Sequence, residues 1–244
     1  MNNLVYASYI DKPSKIELVE YNFNKIKSLF DNVVFVYSSY NEKPLPQNFC
    51  GLNNENLILT PNDGYDFGKY RLGIQKFLEE PMSYTTIFND SVSIIETLDP
   101  IILFLEKRFS EGYEYVGFLK SEEIRDHFQS WFLSFSKNAL LYFYDKISKP
   151  IHNKQEVINQ YEVDLSNQMI HHFKSSFYWR SNINLFYFQS VIDQVTQREK
   201  SFPFLKNNSF NKEFKKEPHN IDRKKMIKLC PPQLSNKFLQ YIDG

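Results

Sequence analysis

The side chains best suited to chemistry cluster in two short loops. Asn62-Asp63-Gly64 follows the apolar run Leu57–Leu59, and Asn89-Asp90-Ser91 closes the apolar run at residues 85–88. Amides, carboxylates and hydroxyls offer oxygen ligands, which suit a hard cation such as Mg²⁺ or Mn²⁺ and the phosphates it bridges. Asp66 and Lys69 stand in the first turn of the helical pattern that begins after Gly64. A carboxylate there can hold a ribose or a base, and an ammonium can hold a phosphate. In open α/β sheets ligands lie outside the carboxyl ends of strands, so these two loops point to one crevice. Plainer readings exist beside this one: Asn89-Asp90-Ser91 as a turn that caps a neighbouring helix, and Asp63 as a turn residue only.

Loops of this kind need a parallel sheet to bring them together. Residues 3–10 are β-rich, and Ser14-Lys15-Ile16-Glu17 follows with capping-box spacing. Ile16, Val19, Phe23, Ile26 and Phe30 then form one apolar helical stripe. Residues 33–37 are apolar on both faces of a strand, which completes a right-handed, parallel β-α-β unit. After Gly64, the residues Phe67, Tyr70, Ile74 and Phe77 share a helix face. Gly68 and Gly73 within it either allow close packing on the sheet or open the backbone to a ligand.

Further along, Asp99-Pro100 has the pattern of an N-cap followed by proline at the first helical position, with Leu98, Ile101, Leu105 and Phe109 inward. Residues 113–119 and 129–135 read as strands, and residues 139–147 and 154–169 as helices. In the latter Val157, Tyr161, Leu165 and Met169 face inward. Residues 182–197 have the pattern of an amphipathic helix that ends at Pro203-Phe204-Leu205-Lys206, and a last short helix is expected at residues 232–242.

Composition narrows the class. The chain has 244 residues and is 42% hydrophobic, enough for a large core, and its seven glycines argue against collagen-like or disordered chains. Two cysteines, Cys50 and Cys230, without an N-terminal leader pattern, fit a reducing, cytoplasmic compartment. No apolar run reaches the ~18 residues of a spanning helix. The zero formal net charge is unevenly spread: residues 1–197 carry 18 Lys and Arg against 24 Asp and Glu, and residues 198–228 carry 10 against 4. The acidic body argues against a nucleic-acid partner. The basic tail suits either an anionic, inner-membrane surface or a solubilising linker.

The order of these elements resembles the nucleotide-sugar-binding half of GT-A glycosyltransferases, in which an Asn-x-Gly loop opens a glycine-containing helix and the next strand ends in an acidic triplet. A closer resemblance is to the rhamnan synthesis protein F family of bacterial polysaccharide glycosyltransferases. It rests on Asn62-x-Gly64-x-Asp66-Phe67-Gly68, Phe88-Asn89-Asp90-Ser91, His127-Phe128-Gln129-Ser130-Trp131-Phe132, Tyr161-Glu162-x-x-Leu165-Ser166 and Pro203-Phe204-Leu205-Lys206, in that order across residues 62–206. The triplet departs from the wider GT-A pattern by having one carboxylate where Asp-x-Asp has two.

The resemblance implies an α/β, GT-A-like fold, with a mostly parallel central sheet flanked by helices in residues 1–172 and a helical, basic extension in residues 173–244. It implies transfer of a sugar, rhamnose or another deoxysugar, from a nucleotide-sugar donor to a glycan or lipid-linked saccharide, with inversion. The donor site would comprise Asn62, Gly64, Asp66, Lys69, Asn89, Asp90, Ser91 and Gln129, with Asp90 at the diphosphate and holding Mg²⁺ or Mn²⁺ if a metal is used. Glu162 would be the catalytic base, and His127 would bind donor phosphate or acceptor hydroxyl. Partner glycosyltransferases of the same polysaccharide would be its neighbours. The alternatives are a solvated carboxylate at Glu162, a structural His127, and a non-catalytic glycan- or nucleotide-binding module that partners a synthase. Trp131 and most tyrosines are expected in the core, and no role falls to His171-His172.

Overall fold

The computed structural model of the chain describes residues 1–122, 124–180, 202–207 and 231–243. Strands β1 (Asn2–Ile10), β2 (Asn32–Ser39), β3 (Leu57–Leu59) and β4 (Tyr84–Asn89) form the parallel half of one sheet, in the order β3-β2-β1-β4. Helices α1 (Lys15–Lys27) and α2 (Tyr65–Gln75) are the crossovers that a parallel sheet requires. Beyond β4 the chain adds β5 (Val92–Ile94), α3 (Asp99–Ser110), β6 (Tyr115–Ser121), the two-residue β7 (His127–Phe128) and β8 (Phe132–Phe135). β8 inserts antiparallel between β4 and β6, so the sheet continues β4-β8-β6-β7. The mostly parallel, helix-flanked α/β sheet expected from the sequence is the one observed.

Strand alternation divides the core into two layers. In β1, Leu4 and Tyr6 face a layer with Val19, Phe23 and Ile26 of α1, while Val5 and Ala7 face Phe67, Tyr70 and Ile74 of α2. This is the period of two expected of a strand covered on both faces. Helix α2 lies very close to the sheet: a Cβ on Gly73 would stand 2.3 Å from Val5 Cγ1. At Gly73, close helix-on-sheet packing is therefore the reason for the glycine.

Three further helices are α4 (Lys137–Lys146), α5 (Lys154–Val157) and α6 (Leu165–His172). The last two are joined by a π-helical stretch, Ile158–Asp164. The sequence predicts one α-helix here, and the wide stretch has a physical reason. Val157, Tyr161, Leu165 and Met169 are all buried, yet residues four apart drift about 40° per step around an α-helix of 3.6 residues per turn. Wider turns keep that stripe on one face.

Two local expectations differ from what is seen. Ser14 makes no side-chain cap bond to α1; the first turn is closed by backbone bonds from Lys15 N to Lys12 O at 3.1 Å and Ile16 N to Pro13 O at 3.0 Å. At α3 the cap position is Leu98, and Asp99 lies inside the helix.

Residues 173–180 and 202–207 contribute strands. β9 (Ser175–Arg180) runs parallel to β6, and β10 (Phe204–Lys206), which the sequence suggests as a helix end, pairs antiparallel with β5. Phe202 and Phe204 are buried and enter the aromatic cluster of Phe88, Phe118 and Trp131. Helix α7 (Pro232–Asp243) is the C-terminal helix expected. The helix expected at residues 182–197, Cys230 and most of the basic segment at 198–228 fall outside the described residues. Among the described residues no helix is long and apolar enough to cross a membrane.

Candidate functional site

The carboxyl ends of β1, β2 and β4 lie side by side, with Ala7 opposite Asn89 and Tyr9 opposite Ser38. The chain leaving β4 is tied down at once. Asn89 N donates to Trp131 O at 3.1 Å and Asp90 N to Ala7 O at 3.2 Å. The Asp90 carboxylate therefore lies over the end of β1. Its Oδ2 accepts from Ser8 Oγ at 2.5 Å and from Tyr9 N at 3.2 Å, and pairs with Lys15 Nζ at 3.0 Å. Lys15, the first residue of α1, also donates to Tyr9 O at 2.5 Å. The two side chains are only 11% and 9% exposed, so the pair is largely desolvated, a state that persists only with good geometry and further hydrogen bonds.

The loop before α2 builds the opposite wall. Gly64 and Tyr65 are both left-handed, at φ 69° and 54°. Glycine adopts this conformation freely, but for a bulky residue it is an outlier of the kind found at functional sites. The bend aims the Tyr65 carbonyl at Lys69 Nζ, 3.1 Å away, and Lys69 also donates to Asn62 Oδ1 at 2.5 Å. Lys69 is fully buried. Burial pushes its amine below the usual lysine range, Asp66 and Asp90 oppose that shift, and Lys15 adds to it. A Cβ on Gly68 would stand 2.0 Å from the Asp63 carbonyl oxygen, so this glycine also admits protein backbone rather than a ligand.

Asn89 joins the two loops. Its Nδ2 donates to Asp66 Oδ2 at 2.9 Å, and its Oδ1 accepts from Ser91 N at 3.0 Å. Asn207, just past β10, straps the same turn from outside. Its Nδ2 donates to Asp90 O at 2.6 Å, its backbone N donates to Ser91 O at 2.9 Å, and its Oδ1 accepts from Ser93 Oγ at 2.7 Å. Substituting Asn207→Ala leaves buried groups short of a partner and is expected to cost about 1–3 kcal/mol of stability. Chemical denaturation measures this directly; an unchanged midpoint would show that the Asn207 side chain contributes nothing.

Tyr70 connects this wall to Glu162. The Tyr70 hydroxyl donates to Ser130 O at 3.1 Å, and Ser130 Oγ donates to Glu162 Oε2 at 3.0 Å. Burial, and then the nearby carboxylates of Asp66, Glu162 and Asp90, hold the Tyr70 hydroxyl protonated well above the ordinary tyrosine range; a hydrogen bond with Asn89 works the other way. Glu162 lies in the π-helical stretch, between the inward Tyr161 and Val163. Asp164 is turned to Arg125 in an exposed pair at 3.0 Å.

The residues singled out from the sequence thus separate. Lys69 bonds to Asn62, Asn89 bonds to Asp66 and Ser91, and Asp90 bonds to Ser8, Tyr9 and Lys15; Lys69 stands within the field of Asp66 and Asp90, and Tyr70 and Ser130 lead on to Glu162. His127 and Gln129 bond to one another at 3.3 Å, and His127 Nδ1 lies 2.8 Å from Arg125 O. Among the described residues neither side chain has a hydrogen bond to Asp90, Lys69 or Glu162. Asp63 is mostly exposed, 3.9 Å from His152. Trp131 is buried in the aromatic core, as expected.

Ser8, Lys15, Tyr70, Ser130 and Asn207 are missed by sequence reasoning as site residues. Only Lys15 carries a local signal: a cation on the first residue of a helix opposes the helix dipole, so its placement needs a reason from elsewhere in the fold.

One oxygen of Asp90 is already engaged: Oδ2 is surrounded by a hydroxyl, an amide N–H and an ammonium, all directed at it as donors or cation. Among the described residues no group of three or more His, Cys, Asp or Glu side chains is arranged to hold a metal.

No protein-family model and no curated protein matches the chain. Among solved structures, a putative nucleotide-diphospho-sugar transferase from Desulfovibrio desulfuricans G20 aligns with a TM-score of 0.43 and 10% identity, over 82% of this chain and 89% of that one. At that distance the likeness carries no functional argument.

Proposed function

We propose that the protein is a glycosyltransferase that takes a sugar from a nucleotide-sugar donor. The observation that carries this reading is the gathering of the Lys69–Asn62 and Asn89–Asp66 pairs and of Asp90 near the carboxyl ends of parallel strands, with Tyr70 and Ser130 leading on to Glu162. Such an edge is where α/β sheets bind phosphorylated ligands. The donor diphosphate would lie over Asp90 and Lys15. Glu162 would take the proton of the acceptor hydroxyl as that oxygen attacks the anomeric carbon and the nucleoside diphosphate leaves, a single displacement with inversion. Lys15 and Lys69 would stabilise the charge that develops on the leaving group.

The finer parts of the proposal come from the family resemblance. The sugar would be rhamnose or another deoxysugar, and the acceptor a bacterial surface polysaccharide or lipid-linked oligosaccharide at the cytoplasmic membrane face. His127 would serve donor phosphate or acceptor hydroxyl, and Gln129 the donor. The single carboxylate of Asn89-Asp90-Ser91 favours a second reading, a module that binds nucleotide or glycan without turning it over.

Thermal unfolding in the presence of nucleotide sugars tests the proposal. A ligand at 100 times its Kd raises stability by about 2.7 kcal/mol, visible as a higher midpoint. No shift with any nucleotide sugar would remove the donor-binding reading, and a shift without any sugar transfer or donor hydrolysis would favour the second.

A further inference from the structure

We infer that the anionic diphosphate at this site is held by Lys15, with Lys69 behind it, and that Asp90 is the anchor of Lys15 rather than a ligand of a divalent cation. The inference rests on the donor-binding reading above and adds to it the identity of the counter-charge.

Three features support it. First, the donors converging on Asp90 Oδ2, namely Ser8 Oγ at 2.5 Å, Tyr9 N at 3.2 Å and Lys15 Nζ at 3.0 Å, leave this oxygen coordinated as an anion in an ion pair. A cation bound to this oxygen at about 2.1 Å would have to displace the ammonium from a largely desolvated pair. Second, Lys15 is fixed from both sides, by Asp90 and by the Tyr9 carbonyl at 2.5 Å. Its side chain remains 11% exposed, and the neighbouring Tyr9 is 37% exposed. Lys69, fully buried, acts through its field alone. Third, burial and then Lys15 disfavour the ammonium form of Lys69, with Asp66 and Asp90 opposing them. A diphosphate at the strand ends adds to the support those carboxylates give, whereas a divalent cation placed there works against the ammonium. The same anion favours the ammonium form of Lys69, which burial opposes.

Lys15 therefore does what a metal does elsewhere: it fixes a positive charge beside the phosphate oxygens. It does so without an exchangeable ion, because the carboxylate that would bind the ion instead binds the lysine.

The test is calorimetric titration of the full chain with UDP, GDP, dTDP and CDP, in chelator and again in Mn²⁺, for the unaltered protein and for Lys15→Met. The inference predicts that the preferred nucleotide binds with the same Kd, within twofold, in chelator and in Mn²⁺. It also predicts that Lys15→Met weakens this binding by about 10- to 100-fold, the size expected for loss of a charge-assisted hydrogen bond. The chelator comparison uses the unaltered protein and does not depend on the variant folding. Binding that requires Mn²⁺ would overturn the inference and leave the donor-binding reading standing. So would chelator-resistant binding that a folded Lys15→Met protein retains in full. Failure of all four nucleotides to bind under either condition would overturn the donor-binding reading itself.

Discussion

Replacing Glu162 with Gln should lower turnover by about 10²- to 10⁴-fold while leaving nucleotide affinity and the unfolding midpoint nearly unchanged. Glutamine has the volume of glutamate and can still accept from Ser130 Oγ, which lies 3.0 Å from Glu162 Oε2. The π-helical stretch and the contacts of Tyr161 and Val163 are thus preserved. What is lost is the capacity to take a proton. The separation of effects is the point of the substitution, because a residue with only a structural role would move stability and turnover together. Full turnover in Glu162→Gln would remove this side chain from the chemistry, and a loss of nucleotide affinity equal to the loss of turnover would make it a donor ligand instead.

The second large effect is expected at Asp90. In Asp90→Ala, the Lys15 ammonium stays in a largely desolvated place without its partner, and the Ser8 hydroxyl and Tyr9 amide lose their acceptor. Breaking a buried pair from one side costs about 3–5 kcal/mol. At roughly 2–4 °C per kcal/mol for a chain of this size, the unfolding midpoint should fall by on the order of 10 °C, with nucleotide binding lost as Lys15 loses its position. Asp90→Asn should be milder, since an amide oxygen can still accept from Ser8 and Tyr9. Equal stability of Asp90→Ala and the unaltered protein would contradict the ion pair as described.

The contrast between Asp90 and Lys15 shows what a sequence can and cannot reveal. Asp90 was legible because a local rule applies to it: an acidic triplet ends an apolar strand, and ligands gather at strand ends. Asn62, Gly64, Asp66 and Lys69 were legible for the same reason on the neighbouring loop. Lys15 was hidden inside a capping-box pattern whose serine makes no cap bond, and its partner is 75 residues away in the sequence, brought near by the parallel pairing of β1 and β4. Pairing of that range is set by the whole sheet, which no window of residues contains.

Asn207 illustrates the limit further. It is placed by a three-residue strand, β10, too short to show a period of two, and its side chain reaches partners more than 110 residues away in the sequence. The helical stripe at Val157, Tyr161, Leu165 and Met169 was legible as an inward face, but its strict four-residue spacing also held the signature of the wide turns that carry Glu162. Gly68 and Gly73 were ambiguous from sequence, because close approach by backbone and by ligand ask for the same residue. The structure resolves both in favour of protein contacts, with the Asp63 carbonyl and with Val5.

The most direct measurement is the crystal structure of the protein with the nucleoside diphosphate that raises its unfolding midpoint most. The account predicts phosphate oxygens within hydrogen-bonding distance of Lys15 Nζ, over the ends of β1 and β4, with the Lys15–Asp90 pair intact beneath them. A nucleotide bound elsewhere on the chain, with no phosphate near Lys15, would contradict it.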